Sequence, residues 1–273
     1  MKKFEGILFV SDIDGTLLRN DKSISEENVK AIEYFKSEGG IFTIITGRTP
    51  TGAVGIVEAV KPNAPFGCGN GGGIYDYRNG KFLFTVDISR SVLDLVEYVD
   101  KNLPDAGIEI ITHKNVYFCK PNAATERHKM NENLPFLNCH YSEVKEPIAK
   151  ILFAVEGETA MLNLVDMLSN HPLSNDFDFV RSDDEYYEIL PKGVNKGILV
   201  EKLAEILGIS KEKTIAIGDN DNDVAMLKNA HIGIVVSNAS EKAKAASDYI
   251  TVSNEENAVA KIIDDIDKEI IKL

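Results

Sequence analysis

The first apolar run of the chain, Gly6-Ile7-Leu8-Phe9-Val10-Ser11, stops at two carboxylates one residue apart, Asp12 and Asp14, with Gly15-Thr16 behind them. No other stretch constrains the fold as strongly. Branched and aromatic residues between two glycines read as a strand buried on both faces, as in a parallel sheet. The two acids then sit at its carboxyl end. In open α/β sheets, ligands bind in the crevice beyond the carboxyl ends of the strands. Carboxylates this close repel one another unless a cation lies between them, and Mg²⁺, which takes oxygen ligands, suits such a site. Taken alone, Asp-x-Asp-Gly-Thr is equally a turn, because Asp and Gly are ordinary turn residues.

The pattern after this strand alternates. Ser25 caps a helix that carries Val29, Ile32 and Phe35 on one face and ends at Gly39-Gly40. Ile41 to Ile45 reads as a second buried strand, with Thr46-Gly47-Arg48 at its carboxyl end, near Asp12 if the two strands are neighbours. Thr49-Pro50 opens another helix. Much later, Lys196 starts a helix bearing Leu199, Val200, Leu203 and Leu207, and Gly208 ends it. Thr214 to Ile217 is a strand that stops at Asp219, as the first stops at Asp12. Strands at 232–236 and 249–252 and helices near 221–229, 240–247 and 255–270 complete the alternation.

The middle of the chain is of a different kind. A helix after Ser89, short strands at 108–111, 116–119, 148–155, 177–180 and 186–190, and a helix at 162–168 make an α+β pattern, with 121–146 polar and irregular. The expected fold is α/β: a doubly wound, mostly parallel Rossmann-like core sheet from residues 1–83 and 188–273, with an inserted α+β cap domain at 84–187.

Several tempting signals fail on context. Gly67, Gly69 and Gly72 form a G-x-G-x-x-G, but a dinucleotide fingerprint opens a helix, whereas Asn79-Gly80 here sits inside a hairpin pattern. Asp219, Asp221 and Asp223 begin like a calcium loop, yet Val224 stands where glycine is needed and Ala230 where glutamate is needed. The five histidines lack zinc spacing, and no G-x-S-x-G elbow is present. His113, His128 or the 121–146 segment are candidates for reading a substrate. Cys68, Cys119 and Cys139 have no C-x-x-C spacing and are expected to stay reduced. A formal charge of −13, from 30 basic and 43 acidic residues, argues against nucleic-acid and acidic-membrane partners. The N-terminal apolar run is broken at once by acids, so no leader or membrane span is read there, and a cytoplasmic location is expected.

Four segments, taken together and in order, carry a stronger signal: Asp12-Ile-Asp14-Gly-Thr16, Ile44-Ile-Thr46-Gly47-Arg48, Lys192-Gly-Val-Asn-Lys196-Gly197, and Gly218-Asp219-Asn-Asp-Asn222-Asp223. This set resembles the signature of haloacid dehalogenase superfamily phosphatases, and more narrowly the Cof-type, subclass IIB sugar-phosphate phosphatases. It spans residues 7 to 223 but leaves the middle third without a motif. Asn70-Gly71 matches a stretch that borders the active site in that family, although Gly72 stands where alanine is common. The chemistry assigns Asp12 as nucleophile, forming an aspartyl-phosphate, and Asp14 as general acid and then base. Lys196 holds Asp12 and the phosphoryl oxygens, and Thr46 and Gly47 donate to the phosphoryl group. Asp219, with Asp12, ligates Mg²⁺, and Asp223 supports it or reaches it through water. The resemblance adds the Asp14 main-chain carbonyl to the ligands and places Asn222 on the phosphate or substrate. Arg48 is a candidate substrate contact, with a salt bridge on the core the preferred reading. The expected activity is Mg²⁺-dependent hydrolysis of small phosphorylated metabolites, sugar phosphates foremost. A phosphomutase of the same superfamily and a non-catalytic phosphosugar-binding module are the rivals. Oligomeric state is left open, with a monomer compatible.

Overall fold

The computed structural model describes residues 2–132 and 136–273. In chain order the first part carries β1 (Leu8–Ser11), α1 (Glu26–Ser37), β2 (Ile41–Ile44), α2 (Pro50–Val60), β3 (Phe66–Cys68), β4 (Gly73–Asp76) and β5 (Lys81–Thr85). The middle carries α3 (Val92–Asn102), β6 (Gly107–Thr112), β7 (Val116–Lys120), α4 (Ala123–Glu132), β8 (Phe136–Asn138), β9 (Ile148–Ala154), α5 (Glu158–Ser169), β10 (Phe177–Arg181) and β11 (Tyr186–Pro191). The last part carries α6 (Lys196–Leu207), β12 (Thr214–Gly218), α7 (Val224–Asn229), β13 (Ile232–Val235), α8 (Glu241–Lys244), β14 (Tyr249–Ile250) and α9 (Ala258–Asp267). The chain divides into two compact units, one of Met1–Phe84 with Asn195–Leu273, the other of Thr85–Val194.

The first unit is built on a five-stranded sheet in the order β14-β13-β12-β1-β2, with every pairing parallel. Its strands are β-branched, aromatic and buried on both faces: Leu8, Phe9, Val10, Phe42, Ile215, Ile217 and Ile234 are in the core. Phe9 meets Phe35 of α1 and Phe42 of β2 edge to face, so the helix is keyed to the sheet by aromatic contacts. The helices start where sequence chemistry starts them. Ser25 accepts from Asn28 N–H, and Thr49 accepts from Gly52 N–H with Pro50 in the first turn. β3, β4 and β5 form a small sheet beside β2, joined to it by the parallel bridge Ile45 to Gly67.

The strand order reverses between β1 and β12, since β2 lies on one side of β1 while β12, β13 and β14 extend on the other. Crevices in doubly wound sheets open at this reversal, beyond the carboxyl ends of the two central strands. The register pairs Ser11 with Ile217, so Asp12 leaves the sheet beside Gly218-Asp219.

The second unit is a six-stranded sheet in the order β10-β11-β9-β6-β7-β8, antiparallel except for the parallel pair β7/β8. Val92, Leu95, Val96 and Val99 of α3 and Met161, Leu164 and Leu168 of α5 are buried in one cluster with Ile108, Ile110, Ile151, Phe153 and Ile189. Burying each such side chain contributes about 1.5–3 kcal/mol, enough to hold these helices without strong propensity.

Two expectations need correcting. The stretch 121–146 is not irregular: it contains α4 and β8, while residues 133–135 of it lie outside the described residues. The helix escapes periodicity because the residues it buries are Ala124, Thr125 and His128 rather than large apolar ones. It is started by a reciprocal cap, with Thr125 N–H donating to Asn122 Oδ1 and Asn122 N–H to Thr125 Oγ1. The second correction concerns the return to the first unit, which comes at Asn195 rather than 188. β11 runs through Pro191 and pairs with β9 and β10, so its whole length belongs to the second unit.

Candidate active site

Asp12 stands at the mouth of β1, its main-chain N–H donating to Ile217 O of β12 at 2.9 Å. The residue is 5 % exposed. Lys196, the first residue of α6, is 1 % exposed, and its Nζ donates to Asp12 Oδ1 and to Asp223 Oδ1, both at 2.6 Å. Asn195 fixes this helix start by accepting from the Gly197 and Ile198 N–H groups. Gly197 lets the helix come close to α7, because a Cβ there would lie 2.6 Å from Ala225 O. The amine is therefore aimed by backbone packing and not by its own flexible stem.

Asp223 is fully buried, and both its oxygens are engaged. Oδ1 takes the lysine, while Oδ2 accepts from the Asp219 and Asn220 N–H groups at 2.9 and 3.0 Å. It therefore holds the loop after β12 against Lys196. Asp219, at the carboxyl end of β12, accepts from Thr16 Oγ1 at 2.7 Å. Gly15, at φ +78°, makes this possible, because a Cβ there would lie 2.4 Å from Asp219 Oδ2.

Oxygens of Asp12, Asp219 and Asp223 all lie within 4.8 Å of one another. Three carboxylates share one ammonium, and their protonation shows the imbalance. Burial, aided by repulsion from Asp223 and Asp219 and opposed by Lys196, pushes the Asp12 carboxyl well above the usual range. Burial and Asp223 raise Asp219 to about 7, against Thr16 and Lys196. Burial disfavours the charged amine of Lys196, but Asp12 and Asp223 outweigh it and hold that amine protonated. A divalent cation with oxygen preference fits this donor set, since it would supply the positive charge that a single lysine does not.

Asp14 does not join the other three acids. Its carboxylate accepts from Arg48 Nε and Nη2, each at 2.8 Å, and from Lys22 Nζ at 3.1 Å. Burial alone would raise its pKa, but Arg48 and Lys22 win and lower it. Of the four residues proposed around the metal, Asp14 therefore contributes no carboxylate to the cluster, which leaves its main-chain carbonyl for the ligand role that the resemblance implied. Arg48 is the salt bridge read from the sequence, and it also donates to Gly52 O.

Thr46 is buried at the end of β2, where Oγ1 accepts from Arg48 N–H and the main chain bonds Gly67 O and Asn70 N–H. Gly47 lies against Asn70, whose side chain a Cβ at 47 would meet at 2.9 Å. Asn222 Nδ2 donates to Asn70 Oδ1 at 3.1 Å, while Asn222 Oδ1 is buried with no hydrogen-bond partner among the described residues. Asn70 itself sits at φ +53°. It links the Thr46-Gly47 turn to Asn222. Sequence reasoning noted its stretch but gave it no role, and it passed over Thr16 although the hydroxyl two residues after Asp14 was the available signal.

In the second unit, His113 Nε2 meets Asp87 Oδ1 at 2.7 Å and His128 Nδ1 meets Glu109 Oε2 at 2.8 Å. Lys150 and Glu188 form a buried pair at 2.9 Å on adjacent strands. No helix among the described residues is long and apolar enough to cross a membrane.

Comparison with known proteins places these features in context. Residues 9–263 match the family described as haloacid dehalogenase-like hydrolase. The chain is 28% identical over 269 residues to a putative phosphatase of Streptococcus pyogenes, covering 94% of this chain and 96% of that protein. It is 29% identical over 260 residues to the 5-amino-6-(5-phospho-D-ribitylamino)uracil phosphatase YcsE of Bacillus subtilis, covering 94% of each. Its fold is similar to that of the subclass IIB sugar phosphatase BT4131, with TM-score 0.83 at 20% identity over 94% of this chain and 98% of that one.

Proposed function

Because the chain belongs to the haloacid dehalogenase-like hydrolases, we propose that it is a Mg²⁺-dependent phosphatase of small phosphorylated metabolites, with sugar phosphates the leading class, and that it works through an aspartyl-phosphate on Asp12. One observation carries the reading: the Lys196 amine bridges Asp12 and Asp223 at 2.6 Å inside a three-carboxylate cluster. A phosphoanhydride or monoester site must neutralise charge on both the phosphoryl group and its attacker, and this cluster is built around that task.

Asp12 is the nucleophile. Its carboxylate is fixed by a strand end and by Lys196, so attack needs little reorganisation. Bound Mg²⁺ would be held by Asp12, Asp219 and the Asp14 main-chain carbonyl, with Asp223 in support, and would screen the phosphoryl charge from the attacking carboxylate. Thr46 and the Gly47 turn lie at the neighbouring strand end and supply donors for the phosphoryl oxygens. Asp14 acts as general acid toward the leaving oxygen and then as base for the water that cleaves the intermediate. Since Arg48 holds it ionised, the carboxyl must swing off the guanidinium to carry a proton. The orphaned Asn222 Oδ1 is an acceptor, which suits a substrate hydroxyl or a water better than a phosphoryl oxygen.

Substrate selection is assigned to the second unit. The polar side chains gathered at the strand ends of the first unit serve the phosphoryl centre, whereas the second unit buries Glu109, His128, Lys150 and Glu188 in its own polar contacts.

The test is phosphate release from a panel of sugar and other monoesters, with and without Mg²⁺. Turnover that requires Mg²⁺ and falls more than about 1000-fold in Asp12→Asn supports the reading. Absence of turnover on every monoester, an activated aryl phosphate included, overturns it. Dependence on a bisphosphate activator without net phosphate release would assign a phosphomutase instead.

A further inference from the structure

β7 and β8 of the second unit run parallel, and their ladder pairs Phe118 with Asn138. The residue after each is a cysteine: Cys119, at the step where β7 shifts register against β6, and Cys139, one residue past the end of β8, so the two thiols occupy neighbouring positions where the ladder ends. Neighbouring strands lie about 4.8 Å apart, inside the Cα separation of roughly 4.4–6.8 Å that a disulfide spans. Of the two thiols, Cys119 donates to Tyr117 O at a long 3.7 Å. Both are part-buried, and with Phe118, Pro121, Glu126, Lys129 and Asn138 they line a cavity of about 410 Å³. That volume is large enough to admit a small disulfide to the sulfurs.

We propose that Cys119 and Cys139 are a reversible modification site, closing to a disulfide by exchange with a low-molecular-weight disulfide and so tying the three-residue edge strand β8 to β7. Cys139 attacks first. It lies past the end of the edge strand, whereas Cys119 sits within β7 between β6 and β8; burial raises both thiols, Cys119 to about 12. The Cys139 thiolate forms a bond to one sulfur of the reagent and expels the other as a thiolate, which takes the proton Cys139 gave up. Cys119 then loses its proton, bonds to Cys139 Sγ and displaces the second reagent thiolate. Two protein thiols lose two electrons and two protons, and the reagent disulfide becomes two thiols. Cys68 lies in β3 of the first unit and serves as the internal control.

The test uses the full folded chain and oxidised glutathione, quenched in acid, with thiols counted after unfolding and peptides mapped by mass spectrometry. The expected result is loss of two of the three thiols, a chain lighter by two hydrogens, a 119–139 linked peptide, and full recovery with reductant. Cys119→Ser should stall as a glutathione adduct at Cys139, and Cys139→Ser should leave Cys119 unmodified over the same time. A stable glutathione adduct in the wild type without an internal link overturns the proposal. So does a link to Cys68, or no thiol loss under conditions that oxidise the unfolded chain.

Discussion

Arg48 grips the Asp14 carboxylate at both oxygens, Nε to Oδ2 and Nη2 to Oδ1, each at 2.8 Å. A carboxyl held this way is a poor proton donor until the contact opens, because the guanidinium favours the charged form. Removing it in Arg48→Ala raises the pKa of Asp14, because the close opposite charge that favours the ionised form is gone. The protonated acid then survives to higher pH. The alkaline limb of the rate profile for a sugar phosphate therefore moves upward, while an activated aryl phosphate, whose leaving group needs little protonation, shows a smaller change. Rate profiles on the two substrate types check this.

Lys196→Met leaves two buried carboxylates facing each other with their common partner gone. Breaking a buried ion pair by deleting one side costs about 3–5 kcal/mol. Denaturant unfolding in the presence of a chelator should show a loss of that size, and turnover should vanish at the same time. An activity loss with unchanged stability would mean that the acids find another partner.

Asp219 makes the stability of the metal-free protein depend on pH. Its folded pKa is about 7 against an ordinary value of 3.8, so between those values the folded state binds the extra proton. The stabilising contribution is complete below the unfolded value and is lost as pH rises through 7. In chelator, the melting temperature should therefore fall between about pH 5 and pH 8, and Asp219→Asn should flatten that slope. Adding Mg²⁺ should restore stability at the alkaline end, in proportion to the logarithm of its concentration over its dissociation constant.

Gly15→Ala tests how tightly the turn is fitted to Asp219. The left-handed backbone costs an L-residue about 1–2 kcal/mol, and the new methyl would press on a carboxylate oxygen 2.4 Å away. Stability should fall by at least that amount, and a Mg²⁺ titration should show weaker binding as Asp219 is pushed aside. Unaltered Mg²⁺ affinity would remove Asp219 from the ligand set.

Much of the fold was legible because its signals are local and repeated. β1 and β12 are both short apolar runs that stop at an acid, and in a parallel sheet this alone sets Asp12 and Asp219 at one edge. Ser25, Thr49 and Gly208 punctuate helices by chemistry that any sequence displays. What stayed hidden depends on side-chain direction or on partners distant in the chain. Lys196 was expected on Asp12, but nothing in Asp12-Ile13-Asp14 says that the second acid turns away to Arg48. α4 was missed because it buries alanine, threonine and histidine, which carry no hydrophobic period. The end of the insertion was misplaced because β11 is as apolar as a strand of the first unit, and only its partners reveal which sheet it joins.

The placement of β1 between β2 and β12 has a consequence for biosynthesis. A nascent chain can pair one side of β1 as soon as β2 emerges, but the other side waits for Thr214–Gly218, about two hundred residues later. Such long closure slows folding and leaves a bare apolar edge in the interval. Asp219 arrives in the same late segment, so a ribosome-bound fragment short of it has no assembled carboxylate cluster.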